Sequence, residues 1–374
     1  MCNGGLFGNP SEAFAMSLDS YVTLGRSGLR VSPLCLGTMT FGEDWGWGTS
    51  PAESHAILAD YIECGGNFID TANLYTNGHA EKIVGDFFAD RPGVRDRHVI
   101  ATKFFGNLHP GDPNGGGAGR KAIVEQCEQS LRRLQTDYID LYWIHNWDRG
   151  TPIDETMRAL DDLVTAGKVR YLGISDCPAW IAVQAQVTAR WLGRAPLIAT
   201  QVEYSLLERT VEGELVPMAQ EFGMGVMPWS PLKNGWLSGK YTRANVGSTQ
   251  SPRQALVGAP AEKDYRVIDV LVDIAAELEA SCAAVALAWV HARPGVTSTI
   301  VGARRLDQLR ANLAALTVTL TAVQAARLDE VSQPALNFPA HYNTHLAPNL
   351  AFAGATVDGV KTFSPMVTAG SARY

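Results

Sequence analysis

One rhythm constrains this chain more than any other feature. Short apolar runs rich in β-branched residues alternate with longer stretches of helical period, and Gly, Pro, Asn or Asp mark the joints. Strands are expected over Val31–Gly37, Asn67–Thr71, His98–Lys103, Tyr138–His145, Val169–Ser175, Leu197–Tyr204, Met224–Trp229 and Thr297–Val301. Helices are expected over Ala52–Cys64, Ala80–Ala89, Lys121–Leu134, Ile153–Ala166, Ala179–Trp191, Glu214–Phe222 and Arg304–Leu316. Strand starts fall about thirty to forty residues apart, the length of one strand-plus-helix unit. Only the last spacing is longer; it holds two helices, Glu262–Glu279 and Ala283–Arg293, and a polar loop, Lys233–Ala261. Strands so continuously apolar belong to a parallel sheet with both faces covered. Eight such units in series predict an α/β fold, a (β/α)8 TIM barrel. An open doubly wound sheet that binds nucleotides starts instead from a Gly-rich turn. No G-x-G-x-x-G or G-K-[ST] can be placed here; the Gly-rich run Gly111–Arg120 sits well after a strand and reads as a flexible loop.

The ends differ from this middle. Residues 1–20 read as an N-terminal extension. Tyr21–Ser32 reads as a hairpin, expected to cover the N-terminal end of a barrel that spans residues 21–332. Additional helices close the barrel's C-terminal part, the last opened by a Thr321-x-x-Gln324 capping box. Residues 333–374 show no clear period and are expected to form a tail without regular structure, draped over the surface or mobile.

Composition removes several classes. Hydrophobic residues make up 46% of the 374 and charged residues 18%, so the chain can bury a large core and is not disordered as a whole. A net charge of −7 argues against nucleic acid as a partner. No apolar run is long enough to span a bilayer, and the first residues lack the order of a secretory signal. The six cysteines are scattered with no CxxC pair, which suits reduced thiols and a cytoplasmic protein. No metal site is expected: HExxH and Cys/His ligand spacings are absent, and His341 and His345 read as surface residues. No G-x-S-x-G elbow marks a serine hydrolase.

Barrels place their chemistry where strands end. Those positions carry Asp70, with Tyr75 in the following loop, then Lys103, His145, Ser175, Asp176, Gln201 and Trp229-Ser230-Pro231. A free phenol, with a pKa near ~10, is a weak acid. A nearby ammonium favours its phenolate, and a buried lysine needs the counter-charge that Asp supplies. Tyr75 could then protonate a developing alkoxide while a neutral His145 orients the carbonyl. Singly, each residue has a plainer reading: a structural His, or an ion pair that fills the barrel mouth. Together the four suit carbonyl reduction or alcohol oxidation, with a cofactor supplying the hydride.

The segments FIDTANLY (Phe68–Tyr75), ATKF (Ala101–Phe104), DLYWIHNWD (Asp140–Asp148), GISD (Gly173–Asp176), QVEYSLLER (Gln201–Arg209), WSPL with GWLSGKY (Trp229–Tyr241) and IVGARRLDQLRANLAAL (Ile300–Leu316) follow one another in order. The set resembles the aldo-keto reductase superfamily, in its bacterial and potassium-channel-β-subunit-like branch. The resemblance implies an NADP-dependent oxidoreductase with Tyr75 as general acid, Lys103 and Asp70 as its tuning partners and His145 orienting the carbonyl. It implies that Ser175, Asp176 and Gln201 hold the nicotinamide carboxamide while Trp229 stacks on the ring. Thr38, Met39, Asp70, Ser230, Pro231, Leu232, Asn234 and Lys240 join the cofactor set, and Gly302, Arg304, Gln308 and Asn312 take the adenosine end. Two positions depart from the family pattern: Asp176 stands where Asn is usual, and Ala311 where Glu is common.

Arg304 and Arg305 at an expected helix start oppose the macrodipole, a placement an anion would reverse. NADPH/NADP+ is therefore the expected cofactor. Trp45, Trp47, Phe105 and Trp147 are expected to line the substrate pocket and suit an apolar or ring-shaped carbonyl compound or alcohol; a ketosugar attached to a nucleotide also fits. Two other readings stay open here: a cofactor-binding regulatory subunit with little turnover, and a barrel hydrolase using the same rim. A homo-oligomer is possible.

Overall fold

The computed structural model describes residues 16–245 and 259–364, with residues 370 and 372. Eight parallel strands form one sheet: β3 (Leu34–Gly37), β4 (Phe68–Asp70), β5 (Val99–Phe104), β6 (Ile139–Ile144), β7 (Val169–Ser175), β8 (Leu197–Glu203), β9 (Gly225–Trp229) and β10 (Thr299–Gly302). Each pairs with its neighbour in chain order, and β10 pairs with β3. A parallel bridge from Val226 to Val296 brings the last edge together, so the sheet is a barrel. The expected (β/α)8 architecture is the observed one. Helices α1 (Pro51–Glu63), α2 (His79–Ala89), α3 (Arg120–Leu134), α4 (Ile153–Thr165), α5 (Ala179–Trp191) and α6 (Leu215–Phe222) separate the strands. Two more, α7 (Glu262–Glu277) and α8 (Cys282–His291), precede β10; α9 (Leu306–Leu313) and α10 (Ala322–Val331) follow it.

Strand parity sorts the side chains. Along β5, Val99 and Ala101 join an inner apolar cluster with Cys35, Phe68, Leu141, Trp143, Ala199, Met227 and Ile300. Ile100 and Phe104 join the larger outer cluster between sheet and helices. Space inside is tight. Gly173 has no side chain because Trp143 fills that volume: a Cβ there would lie 2.3 Å from the indole.

The N-terminal hairpin pairs β1 (Val22–Thr23) with β2 (Arg30–Val31). Pro33 separates it from β3, so the expected strand Val31–Gly37 divides in two. Leu24 and Val31 are fully buried in the inner cluster. The Arg26 N–H donates to the Gly223 carbonyl, beside the start of β9. The hairpin therefore closes the N-terminal end and leaves the opposite mouth to function.

Two expectations need correction. The helix expected over Arg304–Leu316 begins at Leu306, because Arg305 is extended (φ −148°, ψ 154°), and it ends in a 3-10 turn, Ala314–Thr317. The tail expected to lack regular structure contains α11 (Ala340–His345), α12 (Ala347–Phe352) and a hairpin of β11 (Thr356–Val357) and β12 (Val360–Lys361). Helices of six residues are too short to show a period, and the hairpin turns on Asp358-Gly359, both at positive φ. Part of the Lys233–Ala261 loop, residues 246–258, and most of the N-terminal extension lie outside the described residues. Among the described residues no helix is long and apolar enough to cross a membrane, and no group of three or more His, Cys, Asp or Glu is placed to hold a metal.

Candidate active site

The same parity builds the site. Asp70 lies two residues beyond inward Phe68, Lys103 two beyond Ala101, His145 two beyond Trp143, Ser175 two beyond Gly173, Gln201 two beyond Ala199 and Trp229 two beyond Met227. Six strands thus deliver six side chains to one inner layer at the C-terminal mouth.

Lys103 is fully buried (0% exposed) and Asp70 nearly so (2%), and the two form an ion pair. The Lys103 ammonium also donates to the Thr71 carbonyl (2.9 Å) and to the Tyr75 hydroxyl (3.2 Å). The second carboxylate oxygen of Asp70 accepts from the Gln201 amide at 3.1 Å. Every donor of the ammonium thus has an acceptor, as a buried charge requires.

Tyr75 reaches this group from a 3-10 turn, Tyr75–Gly78, in which Thr76 and Asn77 both take positive φ (46° and 58°). A β-branched residue rarely adopts that geometry. Thr76 is held there because its hydroxyl donates to the Phe41 carbonyl (2.8 Å) and accepts from the Ala80 N–H (3.0 Å). The His145 ring meets the Tyr75 ring edge-on, centroids 6.0 Å apart.

Electrostatics correct one expectation. Burial pushes the Tyr75 phenol above its ordinary range; the Lys103 charge pulls it down but does not prevail. Burial likewise raises Asp70 against the pull of Lys103. For Lys103 burial acts downward, yet the opposing charges of Asp70 and Tyr75 carry it above its usual value. His145 is lowered to about 3, by burial first and then by Lys103. Around neutrality the site therefore holds a protonated phenol, a charged ammonium and a neutral imidazole, with the Asp70 carboxyl paired to the ammonium.

The opposite side of the mouth is more open. Asp176 is exposed and takes φ 45°; its carboxylate accepts from the Trp229 indole N–H at 2.9 Å. Ser230, Lys233 and Asn234 also take positive φ, and the Asn234 N–H donates to the Ser230 hydroxyl. Pro231 is buried, Leu232 half-buried and Lys240 exposed. Thr38 is buried against the Asp70 carbonyl, and Met39 is exposed. Farther round, Asn312 donates to the Gly302 carbonyl and the Gln308 side chain accepts from the Arg304 N–H. Arg305 pairs with Asp307, whereas Arg304 has no acidic partner among the described residues. An indole, a run of backbone at positive φ and a guanidinium with no acidic partner among the described residues together suit an extended anionic dinucleotide.

The aromatic residues expected around the substrate form separate groups. Trp45 and Trp47 sit 5.6 Å apart, while Trp147 packs edge-on against Trp180 at 5.2 Å. Phe105 follows Lys103 by two residues, half-buried and at φ 125°, a conformation costing about 1–3 kcal/mol. The surface histidines His341 and His345 stack on each other in α11.

Three residues that hydrogen-bond to groups at this mouth were not singled out from the sequence: Thr71, Asn73 and Gln126. Gln126 left a signal, a long polar side chain on the buried stripe of α3 between Ile123 and Ser130. Asn73 left only its place two residues before Tyr75.

The Aldo/keto reductase family model matches residues 33–333. Among curated relatives, the oxidoreductase YrpG of Bacillus subtilis is 41% identical over 309 residues, covering 80% of this chain and 92% of its own. Aryl-alcohol dehydrogenase GME11368 of Pestalotiopsis microspora is 36% identical over 318 residues, 83% of this chain and 81% of its own. A probable voltage-gated potassium channel subunit beta of Oryza sativa subsp. japonica is 37% identical over 306 residues, 80% and 91% respectively.

Proposed function

Because this chain belongs to the aldo/keto reductase family, we propose that it is an NADPH-dependent reductase of aldehydes or ketones, reversible toward alcohol oxidation, with Tyr75 as the general acid. The observation that carries this reading is the Tyr75 hydroxyl 3.2 Å from an ammonium that is itself paired with a buried carboxylate. Bound NADPH supplies the hydride. Tyr75, whose pKa stays high, keeps its proton until charge develops on the carbonyl oxygen and then delivers it. Lys103 stabilises the phenolate left behind, and solvent returns the proton. Asp70 keeps Lys103 charged and fixed. His145, neutral, can donate one N–H to the carbonyl oxygen and aim the carbon.

The cofactor is proposed to lie against Trp229, with Asp70, Ser175, Asp176 and Gln201 near the nicotinamide. Thr38, Met39, Ser230, Pro231, Leu232, Asn234 and Lys240 follow along its length, and Gly302, Arg304, Gln308 and Asn312 meet the adenosine end. Arg304, free of an acidic partner among the described residues, favours the additional phosphate of NADPH. Equal catalytic efficiency with NADH would remove that preference. The aryl-alcohol dehydrogenase relative and the indoles at the mouth support an aromatic carbonyl compound as substrate. A cytoplasmic location agrees with the five described cysteines, all free thiols.

The test is NADPH oxidation, followed by its near-ultraviolet absorbance, against a panel of aryl aldehydes, ketosteroids, quinones and ketosugars. Turnover of at least one aryl carbonyl compound is expected. Tight NADPH binding without turnover of any would favour the regulatory reading that the channel-subunit relative suggests.

A further inference from the structure

Gln126 of α3 and Asn73 are two buried amides (2% and 1% exposed) with no part in the chemistry above. The Gln126 carbonyl oxygen accepts from the Phe105 backbone N–H at 2.8 Å and from the Asn73 side-chain amide at 2.9 Å. The Asn73 amide also donates to the Gly106 carbonyl at 2.8 Å, and its backbone N–H to the Lys103 carbonyl at 3.0 Å. The Gln126 amide is tied to the Ala122 carbonyl (3.0 Å) and to Gly117 (3.3 Å), and the Gly117 N–H donates to the Phe105 carbonyl at 2.9 Å. Both backbone groups of Phe105 are thus engaged, at a φ of 125° that side chains rarely adopt. The approach is close: a Cβ on Gly106 would meet Leu74 at 2.7 Å, and one on Gly116 the Phe105 carbonyl at 2.8 Å.

These contacts join two loops that the reaction needs together. Asn73 stands two residues before Tyr75, and Phe105 two after Lys103. Phe105 is half-buried yet belongs to neither apolar cluster, so packing in the core does not hold it. The amides do. We infer that Gln126, with Asn73, is a positioning residue for substrate selection: it locks Phe105 beside the Tyr75 turn, so that an aromatic carbonyl compound is held against the ring while the phenol faces its oxygen. This assignment rests on the reductase reading above and deepens it.

A built-in control separates positioning from plain structure. Gln186 of α5 is an equally buried amide (2% exposed) that accepts from the Leu197 N–H and donates to the Leu197 carbonyl, at the start of β8 and so at the closed end of the barrel. The experiment compares kcat and KM for an aryl aldehyde and a small aliphatic aldehyde in the wild type, Gln126→Leu, Gln126→Glu, Asn73→Ser and Gln186→Leu, with NADPH affinity from fluorescence titration. Gln126→Leu is expected to lower the ratio of aryl to aliphatic kcat/KM at least tenfold, mainly through KM, with NADPH affinity within twofold. Gln126→Glu, held protonated by burial, keeps the acceptor for Phe105 and Asn73 and offers a hydroxyl donor toward the Ala122 carbonyl, and recovers most of the ratio. Asn73→Ser shifts it in the same direction and serves alone if Gln126→Leu does not fold. Gln186→Leu leaves the ratio within twofold whatever it does to stability. An unchanged ratio in Gln126→Leu, or in Asn73→Ser where that serves alone, or an equal shift in Gln186→Leu, overturns the assignment. Absence of carbonyl reduction in the wild type overturns the reductase reading instead.

Discussion

The two sides of the barrel mouth are built on different terms. On the β4–β6 side, Asp70 and Lys103 are buried, paired and hydrogen-bonded, and Tyr75 is held by a turn whose strained residue is itself bonded. On the β7–β10 side, Asp176 and Arg304 are exposed, Trp229 is half-exposed, and a single side-chain hydrogen bond links Asp176 to the indole. The first side is held in place by the protein's own groups, which is what electrostatic preorganisation requires. The second leaves its groups open, as a surface must if a large cofactor is to enter and leave. Changes on the first side should therefore cost stability and rate, and changes on the second should cost affinity alone.

The largest expected effect is that of Lys103→Met. It strands a buried carboxylate, a loss of about 3–5 kcal/mol, and it removes the charge that stabilises the Tyr75 phenolate. Denaturant unfolding and initial rates should both collapse. Adding Asp70→Asn to this variant leaves no charge uncompensated and should restore most of the stability with none of the activity. Recovery of turnover in the double variant would break the distinction between the two sides.

Tyr75→Phe sharpens the same point. The phenol makes one hydrogen bond to the buried Lys103 ammonium, and its loss leaves one charged donor unpaired, so stability should fall by about 1.5–3 kcal/mol, less than in Lys103→Met. Loss of the proton donor should lower kcat by about 10²–10⁴. NADPH affinity, measured by quenching of tryptophan fluorescence, should stay within about threefold, since 1.4 kcal/mol is tenfold.

The sequence made the inner layer of the mouth readable because strand parity is strict. Once the strands were placed, Asp70, Lys103, His145, Ser175, Gln201 and Trp229 had to face inward at one level. What it could not show was the balance of opposing effects. Lys103 beside Tyr75 was legible as a charge that favours the phenolate, but the burial that outweighs it depends on everything packed around the hydroxyl. The Gln126–Asn73 link was hidden for a related reason: its partners lie 53 residues apart and meet only in the fold. The tail's hairpin, by contrast, was there to be read in the V-D-G-V of Val357–Val360, and the broader want of a period concealed it.

The next effect is one of pH. His145 titrates at about 3 in the folded protein, against about 6.5 in an unfolded chain. Between those values the unfolded chain binds a proton that the folded protein does not. Stability attached to this residue is therefore fully present above about pH 6.5 and is lost as the pH falls toward 3, at no more than about 1.4 kcal/mol per pH unit. Unfolding midpoints of the wild type and His145→Gln, compared from pH 7 to pH 4, should converge or cross as the variant's slope flattens. Parallel slopes would mean that the imidazole is not kept neutral by its surroundings.

The smallest effect lies on the open side, at Asp176. Its φ of 45° admits Asp and Asn more readily than other side chains, so the backbone tolerates either while the charge differs. Among the four catalytic candidates, Asp70 and Lys103 offset each other and Tyr75 and His145 are neutral, and the Asp176 carboxylate makes no ion pair among the described residues. Oxidised nicotinamide carries a positive charge and the reduced ring none. With the nicotinamide placed against Trp229 as proposed, this carboxylate should favour the oxidised cofactor by about 0.5–1 kcal/mol, the scale of charge pairs open to solvent. Asp176→Asn should therefore weaken NADP+ binding about two- to fivefold more than NADPH binding, and salt should shrink the difference. The two dissociation constants, titrated separately by tryptophan quenching at low and high ionic strength, decide the matter. A ratio unmoved by the substitution would show that the carboxylate acts only as the acceptor for Trp229, which Asn replaces without loss.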